Sequence, residues 1–244
     1  MRILIIRHGD PDYAHDSLTE KGFREANLLA EKLKNEGITH IYASPCGRAQ
    51  RTAEPTCKKL GMEFTVLDWL HELPAMLNIE YETDYYKNMH SEWNIPPELW
   101  VNDPQNYDIN AWKESDIVKG TKIPDKLEYV AKGFDELLAK HGFVRDGGLY
   151  HIKEEAVGSK DTIALFCHGG VGTAMIAHVM NMPPIALWNS IFIPTSSVTT
   201  LYMEQHIKAR PIAHGIFAGI ADTSHLYMGN EPISCSGLHA DVLK

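Results

Sequence analysis

The chain has 244 residues, of which 44% are hydrophobic and 23% charged, a balance typical of a soluble globular protein. Its formal net charge of −9 argues against a broad positive surface, so neither nucleic acid nor an anionic membrane is an expected partner. The four cysteines form no CxxC pair, which excludes the usual spacing of a disulfide framework or a structural zinc site. The first apolar run, Ile3–Ile6, is too short for a signal peptide, and we expect a cytoplasmic protein.

The first part of the chain alternates apolar runs of strand length with segments in which apolar residues recur at helical spacing. In chain order these are a strand at Arg2–Ile6, a helix at Glu20–Asn35, a strand at Ile41–Ala43, a helix at Gly47–Leu60 and a strand at Phe64–Leu67. Short connections between alternating strands and helices predict parallel strands joined by right-handed crossovers. We therefore expect an α/β fold with a mostly parallel sheet and helices on both faces.

The pattern changes after Pro74, where helical periodicity weakens and prolines become frequent. Several tryptophans lie close together there: Trp93, Trp100 and Trp112. We interpret residues 74–150 as an inserted lid or cap within one domain that spans residues 1–244. The aromatic residues are expected to form a subdomain core rather than a ligand cage.

The second part of the chain returns to regular patterns. The predicted elements are a helix at Asp125–His141, a hairpin at Gly142–Ile152, a strand at Thr162–Cys167, a helix at Val171–Asn181, and strands at Ser197–Met203 and His214–Phe217. The hairpin is expected to turn at Asp146-Gly147-Gly148.

Histidines follow two of the buried strands at their carboxyl ends. The first strand ends in Arg7-His8-Gly9, the later one ends in His168-Gly169-Gly170, and Arg48 opens the helix between them. Carboxyl ends of parallel strands meet at one sheet edge, so we expect these side chains to share one anion site. Unpaired backbone N–H groups at the start of the helix after His168 are expected to face the same anion.

These residues lie in strings that resemble, in order, motifs of the histidine phosphatase superfamily, also called the phosphoglycerate mutase-like family. The strings are RHGD from Arg7, LTEKG from Leu18, ASPCGRAQRTA from Ala43 and FCHGG from Phe166. Weaker C-terminal likenesses are NSIFIPTSSVTTL from Asn189 and DTSHL from Asp222. The resemblance spans nearly the whole chain except the insertion, and it implies a three-layer α/β/α sandwich.

The resemblance implies that His8 is transiently phosphorylated and that Arg7, Arg48 and His168 hold the phosphate. The family's proton donor usually follows the third strand, where Glu72 is the best match. Asp68 competes for that role, and Glu72 itself is open to interpretation as a plain exposed acid.

The residue chemistry fits this division of labour without a metal or a cofactor. An unperturbed imidazole is largely neutral at pH 7, and neighbouring guanidinium groups should keep His8 so. Two arginines and a cationic His168 would neutralise the phosphoryl oxygens, while Glu72 would protonate the leaving oxygen. Arg51, one turn after Arg48, is expected to face solvent.

The remaining histidines are given no role in this chemistry. Those at several further positions are expected to be surface or loop residues: His15, His40, His141 and His206.

We expect a metal-independent phosphomonoesterase acting on a small phosphorylated metabolite. A cofactor-dependent mutase is the alternative within the same family, but Lys87 is the only lysine or arginine between Pro74 and Trp112, where a second anionic group would need partners. Two functions of different classes compete with these, namely a catalytically silent phosphate-binding regulatory module and a metal-dependent hydrolase. The oligomeric state is left open, with a homodimer as one option.

Overall fold

The structure is a computed structural model that describes residues 1–73 and 95–237. The strands in these ranges are β1 Arg2–Arg7, β2 Pro11–Asp12, β3 Ser17–Leu18, β4 His40–Ala43, β5 Thr65–Val66, β6 Phe143–Asp146, β7 Leu149–Ile152, β8 Thr162–Cys167, β9 Val198–Glu204 and β10 Ile212–Asp222. The helices are α1 Glu20–Leu33, α2 Gly47–Leu60, α3 Ile123–Lys140, α4 Gly169–Met180, α5 Pro184–Ser190 and α6 Ser224–Met228.

Eight strands form one sheet in the order β5-β4-β8-β1-β9-β10-β7-β6. The first four of these strands are mutually parallel, whereas every pairing from β1–β9 to β7–β6 is antiparallel. The prediction of a mostly parallel sheet therefore holds only for the half that carries the alternating strands and helices. The short β6–β7 and β9–β10 connections can join only antiparallel neighbours, which explains two of the four antiparallel pairings.

Two hydrophobic cores lie on opposite faces of the sheet. Along β1, Leu4 and Ile6 pack into the core that holds the apolar faces of α1 and α2. Ile3 and Ile5 point to the other face, where the core includes side chains of α3 and α4. This alternation makes β1 apolar throughout, because both of its faces are covered.

The described part of the predicted insertion packs onto the second core. Residues 95–122 contain only short 3-10 turns, and Trp100 and Trp112 are buried among the side chains of that core. Trp93 lies outside the described residues, as do residues 74–94. The bounds 74–150 of the insertion therefore stay a prediction.

Among the helices of the two described ranges, none has the length and apolar character that a bilayer crossing requires.

Gly133, in the middle of α3, lies directly under the indole ring of Trp69. A Cβ atom at this position would lie 2.3 Å from Cγ of Trp69. On an open helix, Gly133→Ala would stabilise by about 0.5–1 kcal/mol. Here we expect the overlap to dominate, with a net loss of about 1–2 kcal/mol and a Tm lower by about 2–8 °C.

Thermal and urea unfolding would measure this effect. Lys132→Ala, at an exposed neighbour on the same helix, is the control and should change Tm by little. A Gly133→Ala protein that unfolds at a higher temperature would contradict the packing argument.

Candidate active site

His8 lies at the carboxyl end of β1 and is only 2% exposed. Its backbone N–H donates to Cys167 O over 2.9 Å, and its carbonyl accepts from the Ser196 N–H over 2.9 Å. The ring Nδ1 lies 2.7 Å from the Gly9 carbonyl oxygen. A carbonyl can only accept, so Nδ1 carries the proton and Nε2 carries the lone pair.

The surroundings of His8 keep its ring uncharged. Burial lowers the pKa of His8 well below the ordinary 6.5, and the charges of Arg7 and Arg48 lower it further, while the Gly9 carbonyl acts in the opposite direction. The ring is therefore neutral at pH 7, as expected of a nitrogen nucleophile.

His168 faces His8 across the site, with the two ring centroids 5.1 Å apart. Its Nε2 lies 2.7 Å from the Ser44 hydroxyl oxygen, and its buried Nδ1 has no partner among the described residues. Burial lowers the pKa of His168 well below 6.5, with His8 and Arg48 as the next contributors. The expected cationic His168 is therefore wrong for the ligand-free site, because the ring is buried beside two guanidinium groups.

The two arginines approach the histidines from separate elements. Arg7 at the end of β1 donates from Nη1 to the Ile193 carbonyl, and Arg48 in the first turn of α2 donates to Asp16 Oδ1 over 2.8 Å. In both side chains the Nε atom is buried and has no partner in the described ranges. Buried N–H groups are nearly always paired in native proteins, so these donors indicate a ligand with several acceptor oxygens.

The side chain of Glu72 lies against the first turn of α4, which directly follows His168. Its carboxylate accepts from the backbone N–H groups of Val171 over 3.1 Å, Gly170 over 3.3 Å and Leu73 over 3.0 Å. The expectation that these helix N–H groups face the anion is therefore wrong for Gly170 and Val171. A carboxylate of the chain itself already occupies them.

Burial raises the pKa of Glu72 above the ordinary 4.5, although the three backbone N–H groups and the Arg7 charge act in the opposite direction. A carboxyl group with a raised pKa is the better proton donor near neutral pH. Asp68, the competing acid, is exposed at the start of a 3-10 turn. The geometry thus favours Glu72 over Asp68 for the acid role.

Several residues near the site were not singled out by sequence reasoning. Tyr13 lies 5.5 Å from the Arg48 guanidinium, the His71 ring lies 6.5 Å from that of His168, and Thr52 Oγ1 accepts from the Gly9 N–H over 2.9 Å. Ser44, the partner of His168, stands in the ASPCGRAQRTA string, which is the one signal that would have identified it.

The loop that carries Asp16 reaches Arg48 because residue 47 is glycine. A Cβ atom on Gly47 would lie 2.2 Å from the Asp16 carbonyl oxygen, and the Gly47 N–H donates to Asp16 Oδ2 over 2.6 Å.

Arg51 is exposed and pairs with Glu54 over 2.9 Å, so it faces solvent as expected.

A family model of the histidine phosphatase superfamily, branch 1, matches residues 3–145. The chain belongs to this superfamily. A relative named probable phosphoglycerate mutase GpmB from Photorhabdus laumondii is 35% identical over 82 residues, which are 30% of this chain and 38% of that protein. A protein of the same name from Yersinia pestis is 33% identical over the same shares of both chains. The match thus spans well under half the length of these curated relatives.

Solved structures with the same fold confirm the fold class. The mycobacterial glucosyl-3-phosphoglycerate phosphatase with inorganic phosphate superposes with a TM-score of 0.62 at 18% identity, covering 92% of this chain and 98% of that one. The phosphoserine phosphatase of Entamoeba histolytica with 3-phosphoglyceric acid gives 0.60 at 19% identity, over 92% and 98%. The α-ribazole phosphatase of Shigella flexneri gives 0.58 at 18% identity, over 91% and 96%.

The unpaired nitrogen donor of Arg48 predicts that this side chain contributes to phosphate binding. Loss of a charge-assisted hydrogen bond costs about 1.5–3 kcal/mol, so Arg48→Gln should weaken binding of inorganic phosphate about 10- to 100-fold. Isothermal titration calorimetry with phosphate measures this. Arg51→Gln, at the solvent-facing arginine one turn later, is the control and should bind as the parent does. An unchanged affinity of Arg48→Gln for inorganic phosphate would show that Arg48 does not bind the anion.

Proposed function

We propose that this protein is a metal-independent phosphatase that hydrolyses a small phosphorylated metabolite through a phosphohistidine on His8, and that it acts in the cytoplasm. One observation carries the proposal: the buried His8 imidazole, with its lone pair on Nε2, lies close to three side chains that each have one buried nitrogen atom without a partner in the described chain. Those atoms belong to Arg7, Arg48 and His168. Such a set binds a tetrahedral anion and offers a nucleophile to its centre.

The first step transfers the phosphoryl group to the protein. The His8 Nε2 lone pair attacks phosphorus, and the bond from phosphorus to the ester oxygen breaks on the opposite side. The departing oxygen takes the proton of Glu72, so the alcohol leaves neutral. The Arg7 and Arg48 charges stabilise the phosphoryl oxygens throughout.

The second step regenerates the ring. Glu72, now ionised, takes a proton from a water molecule whose oxygen attacks phosphorus, and the bond from phosphorus to Nε2 breaks. The His8 proton stays on Nδ1, held by the Gly9 carbonyl, so the ring returns to the same tautomer. Inorganic phosphate leaves, and Glu72 is protonated for the next cycle.

Comparison with relatives supports both hydrolysis and mutase action. The solved structures with this fold include proteins named phosphoserine phosphatase, glucosyl-3-phosphoglycerate phosphatase and α-ribazole phosphatase. The curated relatives are named probable phosphoglycerate mutases, although the match covers a short part of them. A phosphoglycerate mutase is therefore the second candidate, and it uses the same nucleophile.

Activity on an aryl phosphate tests the nucleophile. We expect turnover to persist in excess chelator and to vanish in His8→Ala, because the proposed chemistry uses side chains alone. Glu72→Ala should slow turnover by about 100-fold or more, with inorganic phosphate still bound. His15→Ala, at an exposed histidine, is the control for general effects of histidine loss.

Different outcomes of this assay point to different functions. Dependence on an added divalent metal would favour a metal hydrolase, and phosphate binding without turnover would favour a silent binding module. To separate hydrolysis from mutase action, a phosphoglycerate is incubated with and without a bisphosphorylated primer and followed by phosphorus NMR. Primer-dependent isomerisation that exceeds phosphate release would establish the mutase.

The pH profile tests the proton donor. His8 acts in its neutral form, and its lowered pKa keeps that form predominant as pH falls from 8 to 6. Glu72 acts as an acid below its raised pKa, so its protonated fraction increases as pH falls. We expect kcat/KM, corrected for substrate ionisation, to rise up to about tenfold per pH unit over this range.

Glu72→Gln should abolish this rise and leave a slow, flat profile. If the pH profile of Glu72→Gln keeps the parent's slope, a group other than Glu72 is the proton donor.

A further inference from the structure

A second group of histidines lies at the opposite edge of the sheet from the candidate active site. His40 begins β4, His141 follows the last residue of α3, and Asp161 directly precedes β8. One potential metal-ligand atom from each residue lies within 4.8 Å of those of the other two. The His40 and His141 rings are 4.7 Å apart and nearly perpendicular.

Hydrogen bonds around the cluster prepare each ring for a metal ion. The His40 Nδ1 lies 2.9 Å from Thr39 Oγ1, whose own hydroxyl is within 3.1 Å of the Thr162 carbonyl oxygen. If that hydroxyl donates to the carbonyl, then Nδ1 of His40 is the donor to Thr39 and Nε2 keeps the lone pair. Such a fixed outer hydrogen bond is the usual support of a metal-bound histidine.

The His141 ring has a similar arrangement. Its Nε2 lies 3.4 Å from the Tyr42 hydroxyl, and its Nδ1 lies 3.1 Å from Asp161 Oδ2. Two ligand atoms of a tetrahedral zinc ion lie about 3.3 Å apart. The 3.1 Å between His141 Nδ1 and Asp161 Oδ2 therefore suits two ligands of one ion, which would replace the proton that these atoms share. The proton of the His141 ring would then lie on Nε2, which faces the Tyr42 hydroxyl.

We propose that His40, His141 and Asp161 form a binding site for one divalent transition-metal ion, with zinc as the best-suited ion. Two imidazoles are borderline donors, and together with one carboxylate they favour zinc, cobalt and nickel over magnesium or calcium. Three protein ligands leave the fourth tetrahedral position for water. The ion would join three chain segments that are far apart in the sequence.

This site is separate from the phosphatase chemistry. His40 and Ser44 lie at opposite ends of β4, roughly 13 Å apart at the rise of an extended strand. The proposal therefore does not depend on the proposed function, and it agrees with turnover in the presence of chelator. The Met1 ammonium, whose charge opposes metal binding, is within electrostatic range of Asp161.

The test uses the full chain without an affinity tag, because a polyhistidine tag would itself bind the metal. Zinc is titrated by calorimetry, and cobalt is added as a probe whose visible absorption reports tetrahedral coordination. We expect one equivalent to bind, and Tm to rise by about 5–10 °C at a hundredfold excess over Kd. His40→Gln and Asp161→Asn should each weaken binding at least tenfold, and His141→Gln should abolish it.

His151→Gln is the matched control, because His151 pairs with Asp146 over 3.0 Å as His141 does with Asp161. It should bind metal as the parent does. His40 is exposed, so His40→Gln is expected to remain folded even if His141→Gln does not. The proposal is overturned if zinc and cobalt fail to bind, or if binding is the same in His40→Gln as in the parent.

Discussion

Positive charge buried at the carboxyl edge of the sheet is the constraint on which the candidate site depends. Arg7 and Arg48 remain charged, and each keeps a buried Nε without a partner in the described chain. The two imidazoles beside them respond by staying neutral, since a further charge in this space would be repelled and poorly solvated. In the proposed reaction, the electrostatic field that holds the phosphoryl group is therefore also the field that keeps His8 neutral.

The strands and helices that place these groups were largely predictable from sequence. Each of β1, β4 and β8 is an apolar run that leads into a loop, so their parallel pairing brings His8, Ser44 and His168 to one edge. Of the antiparallel half, only the β6–β7 hairpin was predicted as such. Strand order depends on contacts between distant segments, which the local alternation of apolar residues does not encode.

Within the site, predictions from residue type succeeded for position and failed for ionisation and partner choice. The ordered motifs were enough to bring Arg7, Arg48, His8 and His168 together. The charge of His168 depends on burial and on neighbours in space, neither of which the motif reveals. In the same way, nothing in the string HGG shows that Glu72 accepts the N–H groups at the start of α4.

The attachment of Glu72 has a consequence for how this protein can diversify. The acid is held on one side by α4 and is preceded by Trp69, which packs against Gly133 of α3. On its other side only Leu73 separates it from residues 74–94, where the sequence departs from the family's motifs. Under the proposed function, insertions or deletions in residues 74–94 begin only two residues from the proposed proton donor. Under that function, a change of sequence in residues 74–94 is therefore expected to affect substrate selectivity and leaving-group protonation together.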